Sequence, residues 1–340
     1  MTAFTSPSSG CIGTSKLFYF STKHCPKRPG CRASYPHKTR SHLVTASDSR
    51  VSASGAASHP VIKLMACDID GTILNSQSGI SSDNVAAVKA LIDDTEVLFV
   101  PATGKSRVGA LRAMAELGER LQQIHPNGCP GVFLQGLLVF GANGEVVHEN
   151  KCNAQLAQTV TGIAKDMNVP LIAYSRDSIV CERKHDYMDL LPTYHEPAAT
   201  EVGDWEKAFD RQPLNKFIFM AEPETIDEMR PLVAEKVGSA GNLTQAQSNM
   251  LEVLPPNSSK GDGVRRLLRN VGVHPDNVLA IGDAENDLEL LSMVGYSCAV
   301  GNALPSVKSV ARFTDIPSND DHGVAHTIQR FILNKLALVE

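Results

Sequence analysis

From residue 61 onward, short uninterrupted apolar runs alternate with stretches in which apolar residues recur every three or four positions. Runs of the first kind predict buried strands, and stretches of the second predict amphipathic helices. Residues 64–67, Leu-Met-Ala-Cys, are the first such run. Ser81, Ser82 and Asp83 then offer helix N-caps, and Val85, Val88, Leu91 and Ile92 fall on one helical face. Residues 97–100 predict a second buried strand, ended by Pro101-Ala102-Thr103-Gly104, and Val108, Leu111, Ala115 and Leu117 predict one helix after it. Strand, helix, strand, helix is the order of a parallel sheet wrapped by helices.

The pattern resumes near the end of the chain. Residues 250–254 predict a short strand stopped by Pro255-Pro256. A helix over 263–270 follows, with Val264, Leu267, Leu268 and Val271 on one side and Gly272 as terminator. Then come a strand at 278–281 ending in Gly282-Asp283, a helix at 288–294, a strand at 297–300 and a closing helix at 323–334. Residues 151–245 differ in texture, with strands at 171–174, 179–182 and 216–220 and helices near 153–167 and 225–237. The reading is an α/β fold. A Rossmann-like, doubly wound parallel sheet is built from residues 60–150 and 246–340, with an α+β domain, 151–245, inserted between them.

With 340 residues, 42% of them apolar, the chain is long enough for one large or two ordinary domains. No apolar run approaches a membrane span, so no membrane association is expected. The net charge of −5 is uneven: residues 1–59 hold eight Lys or Arg and one acid, Asp48, which leaves a strongly acidic body. Such a body argues against a general nucleic-acid surface. The leader is rich in Ser and Thr and nearly free of acids, the composition of an organellar transit peptide, with a disordered tail as the alternative. Without an amphipathic Arg helix it favours the chloroplast stroma over the mitochondrion, with cleavage before Val61. Three of the eight cysteines, Cys11, Cys25 and Cys31, lie in this leader. The other five form no CxxC and no zinc spacing, and Cys67 and Cys298 read as small core residues.

The candidate chemistry sits where strands end. Asp68 and Asp70 follow the first strand one residue apart, and two such carboxylates are costly to desolvate unless a cation or an acid–base role suits them. Open α/β sheets also bind ligands in the crevice beyond their strand ends. Thr103 after the second strand, Lys260 before a helix, and Asp283 with Asp287 after a late strand fall at the same edge. Together they suit phosphoryl transfer. One carboxylate attacks phosphorus, a second moves the proton, a hydroxyl and an ammonium hold phosphoryl oxygens, and oxygen ligands suit Mg²⁺. Singly, each has a plainer reading: a polar strand end, a helix N-cap at Thr103, a solvated lysine, an acidic helix start. Two imitations are set aside. Gly104-Lys105-Ser106 mimics the end of a P-loop, but Phe99 stands where that loop needs glycine. Asp283, Glu285 and Asp287 mimic a calcium loop, but Leu288 occupies its glycine position.

These segments resemble the four motifs of the haloacid dehalogenase superfamily, in its magnesium-dependent phosphatase branch. DIDGTILN, VPATGKS, SSKGDGV and GDAENDLELL occur in the family's order across both halves of residues 61–340. The long insertion resembles the type IIB (C2B) cap of the Cof subfamily, and segments such as PGVFLQGLLV and QAQSNMLE resemble plastid-type members. The resemblance implies Asp68 as nucleophile and Asp70 as general acid and base. It implies Thr103, Gly104, Lys260 and Asn286 around phosphate or substrate, and Mg²⁺ at Asp68, the Asp70 backbone carbonyl, Asp283 and Asp287. Gln135 stands where many Cof-type members have Asn, which leaves that contact open. Similar plant domains are fused to an RNA-processing endonuclease domain; none is expected here.

The function implied is hydrolysis of a small phosphorylated metabolite through an aspartyl-phosphate. Sugar phosphates, a flavin mononucleotide and pyridoxal phosphate all fit, and nothing sets the oligomeric state. The alternatives are a phosphotransferase or phosphomutase acting on sugar phosphates, and a non-catalytic binding domain. Arg176, Asp177, Arg183, Lys184 and His185 are candidate substrate contacts from the insertion.

Overall fold

The computed structural model describes residues 61–245 and 247–334. The transit-peptide reading of residues 1–59, with its three cysteines, lies outside the described residues.

The first layer is a four-stranded parallel sheet in the order Tyr296–Ala299, Val278–Gly282, Leu64–Cys67, Leu98–Pro101. Leu64–Cys67 has a partner on each side and is buried on both faces, which is why its four residues are all apolar instead of alternating. Its register is level with both neighbours, Cys67 pairing with Ile281 and with Pro101. The chain therefore leaves three adjacent strands at one height, and the residues that follow emerge at one edge. Helix Ser82–Asp94, capped by the Ser81 hydroxyl, packs on Gly323–Ile328, and Lys260–Val271 packs on Leu288–Met293.

One helix expected after the second strand is two, Arg107–Ala113 and Ala115–Ile124, broken at Ala115 with φ 47°. Gly118 explains the break. The second helix folds back so closely that a Cβ on Gly118 would lie 1.9 Å from the Leu111 carbonyl oxygen, an approach only glycine allows. A small antiparallel sheet, Gly131–Phe133, Leu138–Phe140 and Val146–Glu149, extends the edge through a bridge between Ala102 and Val132. Its strands are too short for periodicity to reveal.

The second layer is a six-stranded sheet: Asn242–Thr244, Met250–Leu254, Lys216–Met220, Leu171–Ser175, Ser178–Cys181, Thr200–Glu201. All its pairs are antiparallel except the last. Alternation divides each strand. Leu171, Ala173, Phe217, Phe219, Leu251 and Val253 pack under helices Ala154–Met167 and Pro223–Val237. Ile172, Tyr174, Ile218, Met220, Met250 and Leu254 join the core shared with the first layer. Residues 250–254, expected to resume the parallel sheet, belong instead to this second sheet, beyond the expected limit at 245. A run that is apolar at all but one position reads alike in a parallel sheet and in an antiparallel sheet covered on both faces. The chain crosses between layers near 150 and near 256, where Asn150 Nδ2 donates to Pro256 O and Ser258 Oγ and ties the two crossings together.

The five described cysteines are buried and free, and burial pushes the Cys298 thiol up to about 12. No described helix is long and apolar enough to cross a membrane.

Candidate active site

Asp68, Thr103 and Asp283 reach the same edge because the three strands before them end level. Asp68 is 4% exposed. Lys260 is the first residue of helix Lys260–Val271, whose N-cap is Ser259, and it is fully buried. A helix N-terminus repels a cation, and here two carboxylates offset that repulsion. Lys260 Nζ donates to Asp68 Oδ1 at 2.6 Å and to Asp287 Oδ1 at 2.9 Å. Burial acts against the ammonium, but Asp287 and Asp68 outweigh it and hold Lys260 charged.

Asp287 organises the loop around it. Its Oδ2 accepts from the backbone N–H groups of Asp283 and Ala284, so both of its oxygens are engaged. Asp283 accepts from the Thr72 hydroxyl at 2.7 Å. Burial, then the charge of Asp287, pushes Asp68 well above the ordinary carboxylate range, and burial with the same charge carries Asp283 to about 6. Oxygens of Asp68, Asp283 and Asp287 lie within 4.8 Å of one another. Three carboxylates, two buried and one half-buried, facing one ammonium leave an excess of negative charge, and their donors are all hard oxygens. That set fits a small divalent cation such as Mg²⁺. The Asp70 carboxylate stands outside this cluster, exposed at the cavity wall and 3.1 Å from Lys105 Nζ.

Residues 103–108 join the layers. Thr103 is buried and accepts at Oγ1 from the Lys105 N–H. It is not an N-cap; Ser106 fills that role for Arg107–Ala113. Gly104 O accepts from Lys216 Nζ at 3.0 Å, and Lys105 Nζ donates to Tyr194 O at 2.8 Å. Ser106 donates from both N and Oγ to Glu196, and Asp177 accepts from Arg107 and from the Val108 N–H. One short loop of the first layer thus meets four residues of the second.

Gln135 enters from a strained turn. Leu134, Gln135 and Gly136 all have positive φ, at 52°, 60° and 89°. The turn is held by bonds from Leu134 N to Lys105 O and from Gln135 N to Thr103 O. Gly136 packs so tightly on the helix bearing Lys260 that a Cβ would meet Ser259 O at 2.0 Å. Gln135 is buried, and its Oε1 accepts from Asn286 Nδ2 at 3.1 Å. The Gln135 Nε2 and Asn286 Oδ1 atoms are buried with no partner.

Asp68, Asp70, Thr103, Lys105, Gln135, Asp283 and Asn286 line a cavity of about 310 Å³ between the layers. Its roof comes from the second sheet and the segments beside it: Tyr174, Tyr194, Glu196, Lys216 and Glu252, with Thr244, Gln245 and Gln247 at one side. Lys216 and Glu252 form an ion pair at 2.8 Å that is buried on both partners, and Lys216 Nζ lies 4.6 Å from the Tyr174 ring centre. The expected contacts from the insertion are not in the cavity wall. Arg176 pairs with Glu149, Asp177 with Arg107, and Arg183, Lys184 and His185 face solvent. Charged residues in a strand-connecting turn are drawn to water. Lys216 and Glu252 belong to otherwise apolar strands, where a lone Lys or Glu on the face toward the first layer is the available signal. Lys105, set aside with the rejected P-loop, is also in the wall.

Comparison with known proteins bears on this geometry. Residues 65–328 match the model of a family described as haloacid dehalogenase-like hydrolase. The chain is 39% identical over 277 residues to the Arabidopsis thaliana protein named Endoribonuclease YBEY, chloroplastic. That match takes in 80% of this chain and 47% of the relative, so the chain spans about half of that protein's length. It is 26% identical over 275 residues to the HMP-PP phosphatase of Yersinia pestis, covering 79% of this chain and 95% of the relative. A solved structure of a HAD subclass IIB sugar phosphatase superposes with a TM-score of 0.66 at 18% identity, over 79% of this chain and 98% of that one.

Proposed function

Because this chain belongs to the haloacid dehalogenase-like hydrolases, we propose that it is a Mg²⁺-dependent phosphomonoesterase. It acts on a small phosphorylated metabolite through an aspartyl-phosphate on Asp68. The observation that carries this reading is the convergence of Asp68, Asp283, Asp287 and buried Lys260 at three level strand ends, under a roof from the second sheet. The named phosphatase among its relatives supports it.

In this reading an Asp68 carboxylate oxygen attacks phosphorus as the bond to the leaving oxygen breaks, and Asp70 delivers a proton to that oxygen. Water then attacks phosphorus in the aspartyl-phosphate, Asp70 taking its proton, as the bond to the Asp68 oxygen breaks and inorganic phosphate leaves. Lys260 orients Asp68 and, with Thr103, neutralises phosphoryl oxygens during both transfers. Lys105, 3.1 Å from Asp70, fixes the acid–base residue in the cavity wall. Mg²⁺ held by Asp68, Asp283 and the Asp70 backbone carbonyl, with Asp287 behind them, would offset the charge of the phosphate against these carboxylates. The six-stranded sheet and its helices, 151–254, act as a cap that excludes water from the transfer.

Phosphate release from a panel of phosphorylated metabolites, with Mg²⁺ or with EDTA, tests the reading. Metal-dependent release that is lost in Asp68→Asn supports it. Release that requires an acceptor sugar points to a phosphotransferase. We also read the location as plastidial, from the leader's composition and the relative named chloroplastic; a fluorescent fusion of residues 1–59 checks that.

A further inference from the structure

The loop that carries Asp70 has a weak point at Gly71. Gly71 has φ 74°, and a Cβ there would meet Asp283 Oδ2 at 2.4 Å. A positive φ together with so close an approach calls for glycine, whose peptide also turns most freely. The peptide between Gly71 and Thr72 stands between two groups of the site. Asp70 precedes it, and on its far side the Thr72 hydroxyl donates to Asp283 at 2.7 Å. Rotation of that peptide would displace both. Lys105 holds the Asp70 carboxylate at 3.1 Å but leaves the backbone behind it free to turn.

Asn302 removes that freedom. Its Nδ2 donates to Gly71 O at 2.8 Å. Its Oδ1 accepts from the Asn319 N–H at 2.9 Å, so the amide can face only one way. Asn319 is itself buried, and its Nδ2 donates to Leu74 O at 2.9 Å. The segment bearing Asn302 is also tied to the other acid, because the Leu304 N–H donates to Asp283 O at 3.0 Å. Residues 302–304 therefore grip the Asp70 loop and the Asp283 loop together. Asn302 does this from outside: it is exposed and is not in the cavity wall.

We propose that Asn302 is a positioning residue, which fixes the Gly71–Thr72 peptide from behind and so holds Asp70 where a proton can pass to the leaving oxygen. The proposal rests on the phosphatase reading above.

The test compares two esters that differ in their need for that proton, using the full chain and Mg²⁺. One is the best alkyl ester of the metabolite panel. The other is 2,4-dinitrophenyl phosphate, whose leaving oxygen departs as a stable anion. Asp70→Asn sets the scale and is expected to lower kcat/KM far more on the alkyl ester. Asn302→Ala is expected to lower the alkyl kcat about tenfold with KM within about twofold, and to leave dinitrophenyl kcat/KM within about threefold. Asn302→Asp keeps the acceptor for the Asn319 N–H and sets its second oxygen against Gly71 O, so the same selective loss is expected. An alkyl kcat/KM at the native level in Asn302→Ala overturns the inference. A loss shared equally by the two esters marks a merely structural role and also overturns it, as does an Asp70→Asn loss that is equal on both. Release from no member of the panel by the native chain removes the phosphatase reading and this inference with it, whereas native release with any of the other results removes this inference alone.

Discussion

The two sheets that enclose the cavity supply their functional groups in opposite ways. The parallel sheet presents its groups just past strand ends, where backbone and side chain leave the core together: Asp68, Thr103, Asp283. The antiparallel sheet presents its groups from inside its strands. Glu252 stands between Leu251 and Val253, and Lys216, Tyr174 and Glu252 all belong to strand residues on the face turned toward the first layer. In the first arrangement a loop holds the chemistry and the strand is scaffold. In the second, the strand itself is the wall, so a change of side chain alters the cavity while the ladder stays in place. On the phosphatase reading proposed above, the difference gives the reaction to one sheet and the lining of the space beyond it to the other.

That division can be broken most strongly from the parallel side. Asp68→Asn is expected to reduce phosphate release by at least about a thousandfold, and EDTA to do the same until Mg²⁺ is restored; steady-state assays read both. Lys260→Met leaves Asp68 and Asp287 without their cation and is expected to cost about 3–5 kcal/mol of stability in urea unfolding, along with most activity. On the antiparallel side, Lys216→Met strands Glu252 and is expected to cost about 3 kcal/mol. The double change Lys216→Met with Glu252→Leu is expected to recover most of that loss, which a double-mutant cycle measures. The smallest effect concerns Glu196, which closes the cap onto Ser106. Burial raises its pKa, so the folded state binds its proton more tightly than the unfolded chain does. Its contribution to stability is complete below the ordinary value of 4.5 and is lost as pH rises through the folded value. The stability difference, native minus Glu196→Gln, is therefore expected to fall as pH rises across that window in parallel urea titrations.

The same contrast explains what was legible in the sequence. Residues 64–75 announce themselves because an apolar run stops abruptly at two acids and a glycine, and the four motifs keep their order. Lys260 reads as surface by composition and is buried because Asp68 and Asp287 are its partners across long stretches of chain. Lys216 and Glu252 were hidden for the same reason: their pairing depends on strands 30 residues apart coming into register. Strand 250–254 reads from its pattern as part of the parallel sheet and lies in the antiparallel one, because local pattern specifies burial and leaves the partner open. The helix break at Ala115 follows from Gly118, whose role exists only once the second helix folds back on Leu111.

The left-handed turn at 134–136 sets durability against the shape of the cavity wall. Asn or Gly at position 135 would sit more easily at φ 60° and relieve strain of about 1 kcal/mol. A laboratory screen that rewards heat resistance alone would therefore drift away from Gln135. It would collect hardier proteins whose shorter residue at 135 no longer reaches Asn286, and the exchange would surface only when the cavity wall itself was examined.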